Sequence, residues 1–216
     1  MVTKILSLVK DYWAGYKMDK DRERKLNEIL EQGKPIKLEI GSGPVKGKNG
    51  WTTLDLTYQV DIYWDLLDGI PFPDNTVSEI YSSHVFEHFY YHDLMKLLKD
   101  CYRVLKPGGV INACVPDASI YIKAYSQPEN FDESYMAFSP AVISNERMDI
   151  VNYIAYMDGH HRYMFDQDNL LRVLSTAGFV DIHSRSFDPN LDLDARRYES
   201  IYALGYKPDV DSLERE

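Results

Sequence analysis

The sequence predicts an α/β fold, a three-layer α/β/α sandwich on a mostly parallel sheet with an antiparallel hairpin at one edge. Three observations predict it. Seven short apolar runs recur between Lys37 and Tyr206. Helical patterns fall between several of them, an alternation that puts helices on both faces of a parallel sheet. The last two runs are joined only by a loop through Pro189, which suits an antiparallel pair better than a crossover. A chain of 216 residues, 44% apolar, is sized for one domain with a sizeable core.

In chain order, Val2, Ile5, Leu6, Val9, Tyr12, Trp13 and Tyr16 recur at three and four, the spacing of an amphipathic helix. A charged helical stretch, Asp19 to Gln32, follows and is closed by Gly33 and Pro35. We read residues 1–34 as a helical appendage that packs on the domain or over its cleft, the alternative being attachment to a membrane surface or a partner. Strands are expected at Lys37–Ile40, Thr52–Leu56, Asp61–Trp64, Val77–Ser82, Val110–Val115, Val180–Ser186 and Glu199–Tyr206. Helices are expected at His92–Leu105 and Asp166–Ala177. The domain thus covers residues 35–208, and 209–216 read as a polar tail.

Residues 118–165 do not follow the alternation. They are rich in tyrosine and methionine, are broken by Pro128 and Pro140, and end in the GHHRY of Gly159–Tyr163. An insertion of this length at the carboxyl end of a strand is expected to serve a site as a lid. Tyr121, Tyr125, Tyr135, Tyr153, Tyr156 and Tyr163 could pack it down or form a stacking wall for an acceptor.

Composition narrows the partners. A net charge of −10 opposes a nucleic-acid backbone partner, whose binding relies on Lys and Arg displacing counterions. No apolar stretch is long enough for a transmembrane segment. Lys4 and Lys10 interrupt the start against a secretory signal, and Cys101 and Cys114 are too few for a disulfide framework, so a cytoplasmic location is expected. Nothing in the sequence sets the oligomeric state.

The stretch KLEIGSGPVKGKNGWTTLDL, Lys37–Leu56, carries the chemistry. Glycines after a buried strand let the backbone approach a ligand. In a nicotinamide enzyme a third glycine would pack a helix whose N-terminus faces a pyrophosphate. Here Lys46 holds that position, and Pro44, Gly47, Asn49 and Gly50 oppose a long helix. Glu39 would also repel a pyrophosphate. A cation suits it better, and S-adenosylmethionine carries a sulfonium and an ammonium. Asp55, ending the second strand, is placed to accept ribose hydroxyls, or else to cap a turn.

With LEIGSGP (Leu38–Pro44), TLDL (Thr53–Leu56), DLLDGIPFPDNTVSEIYSSHVFEHF (Asp65–Phe89) and LLKDCYRVLKPGGVINACVPD (Leu97–Asp117) in order, the chain resembles the class I S-adenosylmethionine-dependent methyltransferases. The branch is that of the methyltransferase type 11 pattern, and LLRVLSTAGFVDI, Leu170–Ile182, is a weaker echo. The resemblance implies a Rossmann-like seven-stranded sheet with its last strand inserted antiparallel. Carried over by position, it implies that Glu39, Gly41 and Gly43 bind the methionine end and Asp55 the ribose, with Leu56 also at the cofactor. It also implies that Asp65 and the Leu66 backbone bind the adenine and that Ser83 borders the methionine; Asp65 could instead be a turn residue. LKPGG reads as a turn into the fifth strand. Val45 departs from the family where a third glycine is common, and only eleven residues separate Gly43 from Asp55, so the helix after the loop must be a stub or missing. GWTTLDL resembles a sub-branch some of whose members are associated with cell-surface polysaccharide synthesis.

HVFEH, His84–His88, also fits the H-x-x-E-H of a zinc site. That site needs a helix and a third ligand, whereas His84 follows a strand and no downstream ligand is evident, so no metal is assigned. Within the methyltransferase resemblance His84 is the first candidate base, ahead of His161 and His88, since histidine titrates near neutrality. For Glu87 and His88, capping or bracing the next helix is the stronger reading, and His160 could be solvated. The expected function is methyl transfer to a small-molecule or glycan-like acceptor, at oxygen. A non-catalytic protein of the same fold is the alternative, and its mark would be an insertion that fills the acceptor pocket.

Overall fold

The structure, a computed structural model, describes residues 20–209 apart from 48, 58 and 131–145. The expected helix at Val2–Tyr16, Tyr135 and the tail beyond 209 lie outside the described residues. Helix α1 covers residues 20–31, and Leu26, Ile29 and Leu30 lay its apolar side on the core. The strands are β1 (Ile36–Ile40), β2 (Trp51–Asp55), β3 (Ile62–Tyr63), β4 (Val77–Ser83), β5 (Leu105–Pro116), β6 (Val180–Ser184) and β7 (Ser200–Tyr206). Helix α2 (Tyr91–Val104) precedes β5, α3 (Ala118–Ser126) and α4 (Arg147–Tyr156) follow it, and α5 (Gln167–Thr176) precedes β6.

The sheet order is β3-β2-β1-β4-β5-β7-β6. β1 pairs in parallel with β2 and β4, and β4 with β5, while β7 runs antiparallel to both β5 and β6. The expected seven-stranded, mostly parallel sheet with its antiparallel edge is therefore present. Ile36, Leu38, Ile40, Leu54, Ile80 and Ile111 are buried, as strands with helices on both faces require. LKPGG differs from expectation in belonging to β5 rather than preceding it. Leu105 already pairs with Val77, and Gly108 adopts φ +72, which a residue with a Cβ rarely takes.

α2 buries Leu94, Leu97, Leu98, Cys101 and Val104. Their spacing is one face of a helix, and each large apolar side chain contributes roughly 1.5–3 kcal/mol on burial. α5 starts at a cap in which Asp166 accepts from the Asn169 N–H at 2.8 Å. The insertion supplies α3 and α4, which pack through Ala118, Tyr121, Tyr153 and Ile154 as a separate small core.

Strand order reverses between β1 and β4, so ligands are expected outside the carboxyl ends of the strands there. Because β7 is antiparallel, it brings its first residues to the same edge: Ser200 pairs with Pro116 at the end of β5. The segment before β7 is held by Arg185, which forms an ion pair with buried Asp192 and donates to Asn112 at 2.7 Å. Tyr81 on β4 donates to the same Asp192 at 3.0 Å.

Candidate active site

Two hollows meet at the carboxyl edge. The first, about 320 Å³, is lined by Gly41, Gly43, Asp55, Leu56, Trp64, Asp65, Leu66, His84, Val85, His88 and Phe89. Among the described residues from 41 to 50 none is helical, as the run of Pro44, Gly47 and Gly50 leads one to expect. Gly41 has φ +64, and a Cβ there would lie 2.3 Å from Val85 Cγ2. Both its conformation and its close approach require glycine. The Gly43 N–H donates to Asp55 Oδ2 at 2.9 Å, so Asp55 braces the loop through one oxygen while a carboxylate offers two. Asp65 caps the short turn Leu66–Asp68 by accepting from the Leu67 N–H at 2.9 Å. That turn is tied to α2, where Asp100 accepts from the Ile70 N–H and Arg103 donates to the carbonyls of Ile70 and Phe72 at 2.9 Å each. Trp64 donates to the Gly69 carbonyl at 2.8 Å and carries Arg22 of α1 over its ring at 4.5 Å.

Glu39 and Ser83 are not among the residues lining this hollow. The Glu39 carboxylate forms no hydrogen bond or ion pair among the described residues, and burial raises its pKa. Ser83 accepts Arg196 Nη1 at its carbonyl, 3.1 Å, and its hydroxyl, 3.3 Å.

The second hollow, about 240 Å³, is lined by His84, Glu87, His88, Pro116, Tyr153, Ile154, Met157, His160, His161, Arg196 and Glu199. It shares His84 and His88 with the first. His84 follows β4 with φ +55, a conformation uncommon for a residue with a Cβ and one that turns its side chain out of the strand register. Its Nε2 lies 2.8 Å from Ser200 Oγ. Burial, then the nearby Arg196 cation, holds its pKa well below the ordinary histidine value. The imidazole is therefore neutral at physiological pH. Glu87 sits in the turn Phe86–His88, 2% exposed, with neither carboxyl oxygen hydrogen-bonded. Burial pushes its pKa up to about 8.

His161 reaches this place through backbone geometry. Met157, Asp158 and Gly159 take φ +40, +54 and +85 in succession, reversing the chain after α4. The Arg162 and Tyr163 N–H groups then donate to the Glu87 carbonyl at 2.7 and 3.2 Å. Burial lowers the pKa of both His88 and His161. Tyr121 and Tyr153 pack the insertion, and the Tyr121 hydroxyl donates to buried Glu199 at 2.6 Å. Tyr125 and Tyr156 are exposed, Tyr163 lies against Phe165, and His160 is exposed.

The sequence-derived candidates thus gather as one cleft holding Gly41, Gly43, Asp55, Leu56, Asp65 and Leu66, and one cavity holding His84, His88 and His161. Sequence reasoning missed Trp64, Val85 and Phe89 in the first, Arg196 and Glu199 in the second, and Ser200 beside His84. Trp64 adjoins Asp65 and carried a readable signal in its position. Val85 and Phe89 flank His84 and His88 in sequence, whereas Arg196, Glu199 and Ser200 reach the edge because β7 is antiparallel. No helix among the described residues is long and apolar enough to cross a membrane.

Residues 51–113 match the methyltransferase type 11 family, described as a methyltransferase domain. A ubiquinone/menaquinone biosynthesis C-methyltransferase, UbiE, of Pseudoalteromonas translucida is 28% identical over 164 residues, covering 74% of this chain and 62% of that protein. Its Escherichia coli K12 counterpart is 28% identical over 170 residues, covering 75% and 63%. The chain spans less than two thirds of the length of these relatives. Among solved structures, a SAM-dependent methyltransferase from Archaeoglobus fulgidus is 15% identical, covering 88% of this chain and 94% of that one, with a TM-score of 0.49.

Proposed function

We propose that this chain, a class I methyltransferase by its matched segment and sheet order, transfers a methyl group from S-adenosylmethionine to a small acceptor in the second hollow, at oxygen. The observation that carries the reading is the adjacency of the two hollows through His84 and His88. A donor in the first would face an acceptor in the second across those two side chains.

The residues fit the cofactor. Gly43 leaves open a space that a Cβ would fill, Asp55 keeps a carboxylate oxygen beyond its bond to Gly43, and Glu39 is a carboxylate with no ion pair among the described residues. Bound there, S-adenosylmethionine supplies a methyl group on a sulfonium, whose C–S electron pair stays with sulfur as the methyl leaves. Asp55 would hold the ribose, Asp65 and Leu66 the adenine, and Glu39 with the glycine loop the methionine end. Trp64 and Phe89 add apolar cover that excludes water from the cleft.

For an acceptor hydroxyl, a lone pair on oxygen forms the new O–CH₃ bond and the hydroxyl proton must leave. The neutral His84 can take it, since its burial disfavours protonation only until an oxyanion forms beside it. Arg196, at the wall of the same hollow, supplies a positive charge toward that oxygen. The cavity volume suits a phenol or a single sugar ring. Methylation at an activated carbon is the second reading, favoured by the C-methyltransferase relatives, and it too requires a base.

Calorimetry with S-adenosylhomocysteine, followed by a radiolabelled methyl-transfer screen against small phenols, quinols, nucleotide sugars and cell-extract glycans, tests this. The expected result is micromolar binding, with transfer abolished or reduced about 10²–10⁴-fold by His84→Ala while cofactor binding is retained. Absence of S-adenosylhomocysteine binding overturns the cofactor assignment, and full turnover in His84→Ala removes it as the base.

A further inference from the structure

We propose that Glu87, His88 and His161 form a binding site for one first-row divalent transition ion of the zinc type, with an open coordination position facing the second hollow. Ligand atoms of these three residues all lie within 4.8 Å of one another. Around a single tetrahedral ion, with bonds to nitrogen and oxygen of about 2.0–2.2 Å, ligand atoms stand roughly 3.3–3.6 Å apart, so the three side chains would draw together by about an ångström as the ion binds.

The hydrogen bonds show which atoms remain for the ion. His88 Nδ1 lies 3.0 Å from the His160 carbonyl, and His161 Nδ1 lies 2.8 Å from the Ile154 carbonyl. A carbonyl only accepts, so both Nδ1 atoms carry hydrogen and both Nε2 atoms present a lone pair. Fixing one ring nitrogen on a backbone carbonyl and presenting the other is how histidine ligands are oriented around metals. His84 adds a third lone pair. The Ser200 hydroxyl donates to the Arg196 carbonyl at 2.6 Å, so it accepts from His84 Nε2, and His84 Nδ1 is left facing Glu87 Oε1 at 3.7 Å. His88 Nε2 faces the same oxygen at 3.9 Å.

With Glu87 ionised, the centre of this cluster therefore holds acceptors only. Glu87 is buried, and neither of its oxygens has a hydrogen-bond partner. Buried polar groups are otherwise almost always paired. Arg196 does not fill the role, because its Nη1 is turned to the carbonyl and hydroxyl of Ser83. Tyr121, the donor seen at the nearby carboxylate, serves Glu199 instead. A cation among Glu87, His88 and His161 would satisfy the carboxylate and both imidazoles together.

Two imidazoles and one carboxylate with a vacant position match the ligand sets of catalytic zinc and of non-haem iron(II). Magnesium and calcium prefer all-oxygen surroundings and are disfavoured. The side chain of His88 is 42% exposed and gives the ion an approach from solvent. The turn in which Glu87 and His88 lie differs from the zinc-protease helix, and the third ligand comes from the reversal after α4, 73 residues beyond His88 in sequence. The metal site stands on its own geometry. That its open position would receive the acceptor oxygen and lower the pKa of that oxygen rests on the methyltransferase reading.

The test uses the full-length protein, stripped with a chelator and dialysed, with no cofactor or acceptor present. Titration with Zn²⁺ by calorimetry is expected to show one site of micromolar or tighter affinity, and Co²⁺ to develop visible d–d absorption. Glu87→Gln and His161→Ala are each expected to weaken Zn²⁺ at least tenfold, while His183→Ala, an exposed histidine on β6, leaves it unchanged. Binding of S-adenosylhomocysteine by the same variants reports that they are folded, and His88→Ala, altering a more exposed side chain, provides a further ligand deletion. No Zn²⁺ binding by the stripped protein, equal binding by the ligand variants, or preference for Mg²⁺ overturns the proposal. None of these outcomes depends on methyl transfer.

Discussion

Replacing Asp55 separates bracing from ligand binding. One of its oxygens holds the Gly43 N–H at 2.9 Å in a part-buried setting. In Asp55→Ala that donor loses its partner, and a charge-assisted bond of this kind contributes about 1.5–3 kcal/mol. Loop atoms can relax toward water, so a stability loss of about 1 kcal/mol is expected by urea unfolding. On the proposed reading the ribose hydroxyls lose their acceptor as well. S-adenosylhomocysteine binding should then weaken by a further 1.5–3 kcal/mol, about 10- to 150-fold in Kd. Asp55→Asn keeps an acceptor oxygen without the charge and should fall between the wild type and Asp55→Ala. Calorimetry beside the unfolding curves reads both effects. If Asp55→Ala lowers stability while leaving Kd unchanged, Asp55 is a brace alone and the ribose assignment is refuted.

Gly41→Ala should destabilise the fold by about 1–3 kcal/mol, because its Cβ meets Val85 at 2.3 Å and its φ is +64. An unchanged midpoint in urea would mean that Val85 yields without cost. Glu39 sets a pH dependence: burial raises its folded-state pKa, so it stays protonated to a higher pH than an ordinary carboxylate. A bound cation favours the ionised form, so affinity for S-adenosylmethionine should rise with pH across the upper carboxylate range and level off above it. The profile should flatten in Glu39→Gln, and an equal slope in that variant would remove Glu39 from the site.

The strands of the sheet were legible because each carries its own local signal. Leu38 and Ile40, or Ile111 and Val115, are apolar runs bounded by turns, and their burial needs no knowledge of the rest of the chain. The missing helix after Gly43 was legible for the same reason, since Pro44 and the glycines up to Gly50 oppose it locally. The insertion was less so. Tyr121 and Tyr153 mark helices α3 and α4 only through each other, and their apolar faces are too mixed to stand out alone. The zinc-like motif at His84–His88 was set aside because His84 follows a strand and no third ligand is evident downstream; that His161 lies beside Glu87 and His88 is a product of the fold.

The sequence by itself determined the seven strands, the antiparallel edge, the glycine loop and the acids that follow it, all set by periodicity and turn chemistry within a few residues. Only the tertiary structure decided what meets at the carboxyl edge. Antiparallel β7 carries Glu199 and Ser200 back to the end of β5, and the left-handed reversal at Met157–Gly159 lays His161 beside Glu87. Neither meeting has a local signal. Each depends on strand direction and on backbone hydrogen bonds between segments far apart in the chain, such as those from Arg162 and Tyr163 to the Glu87 carbonyl.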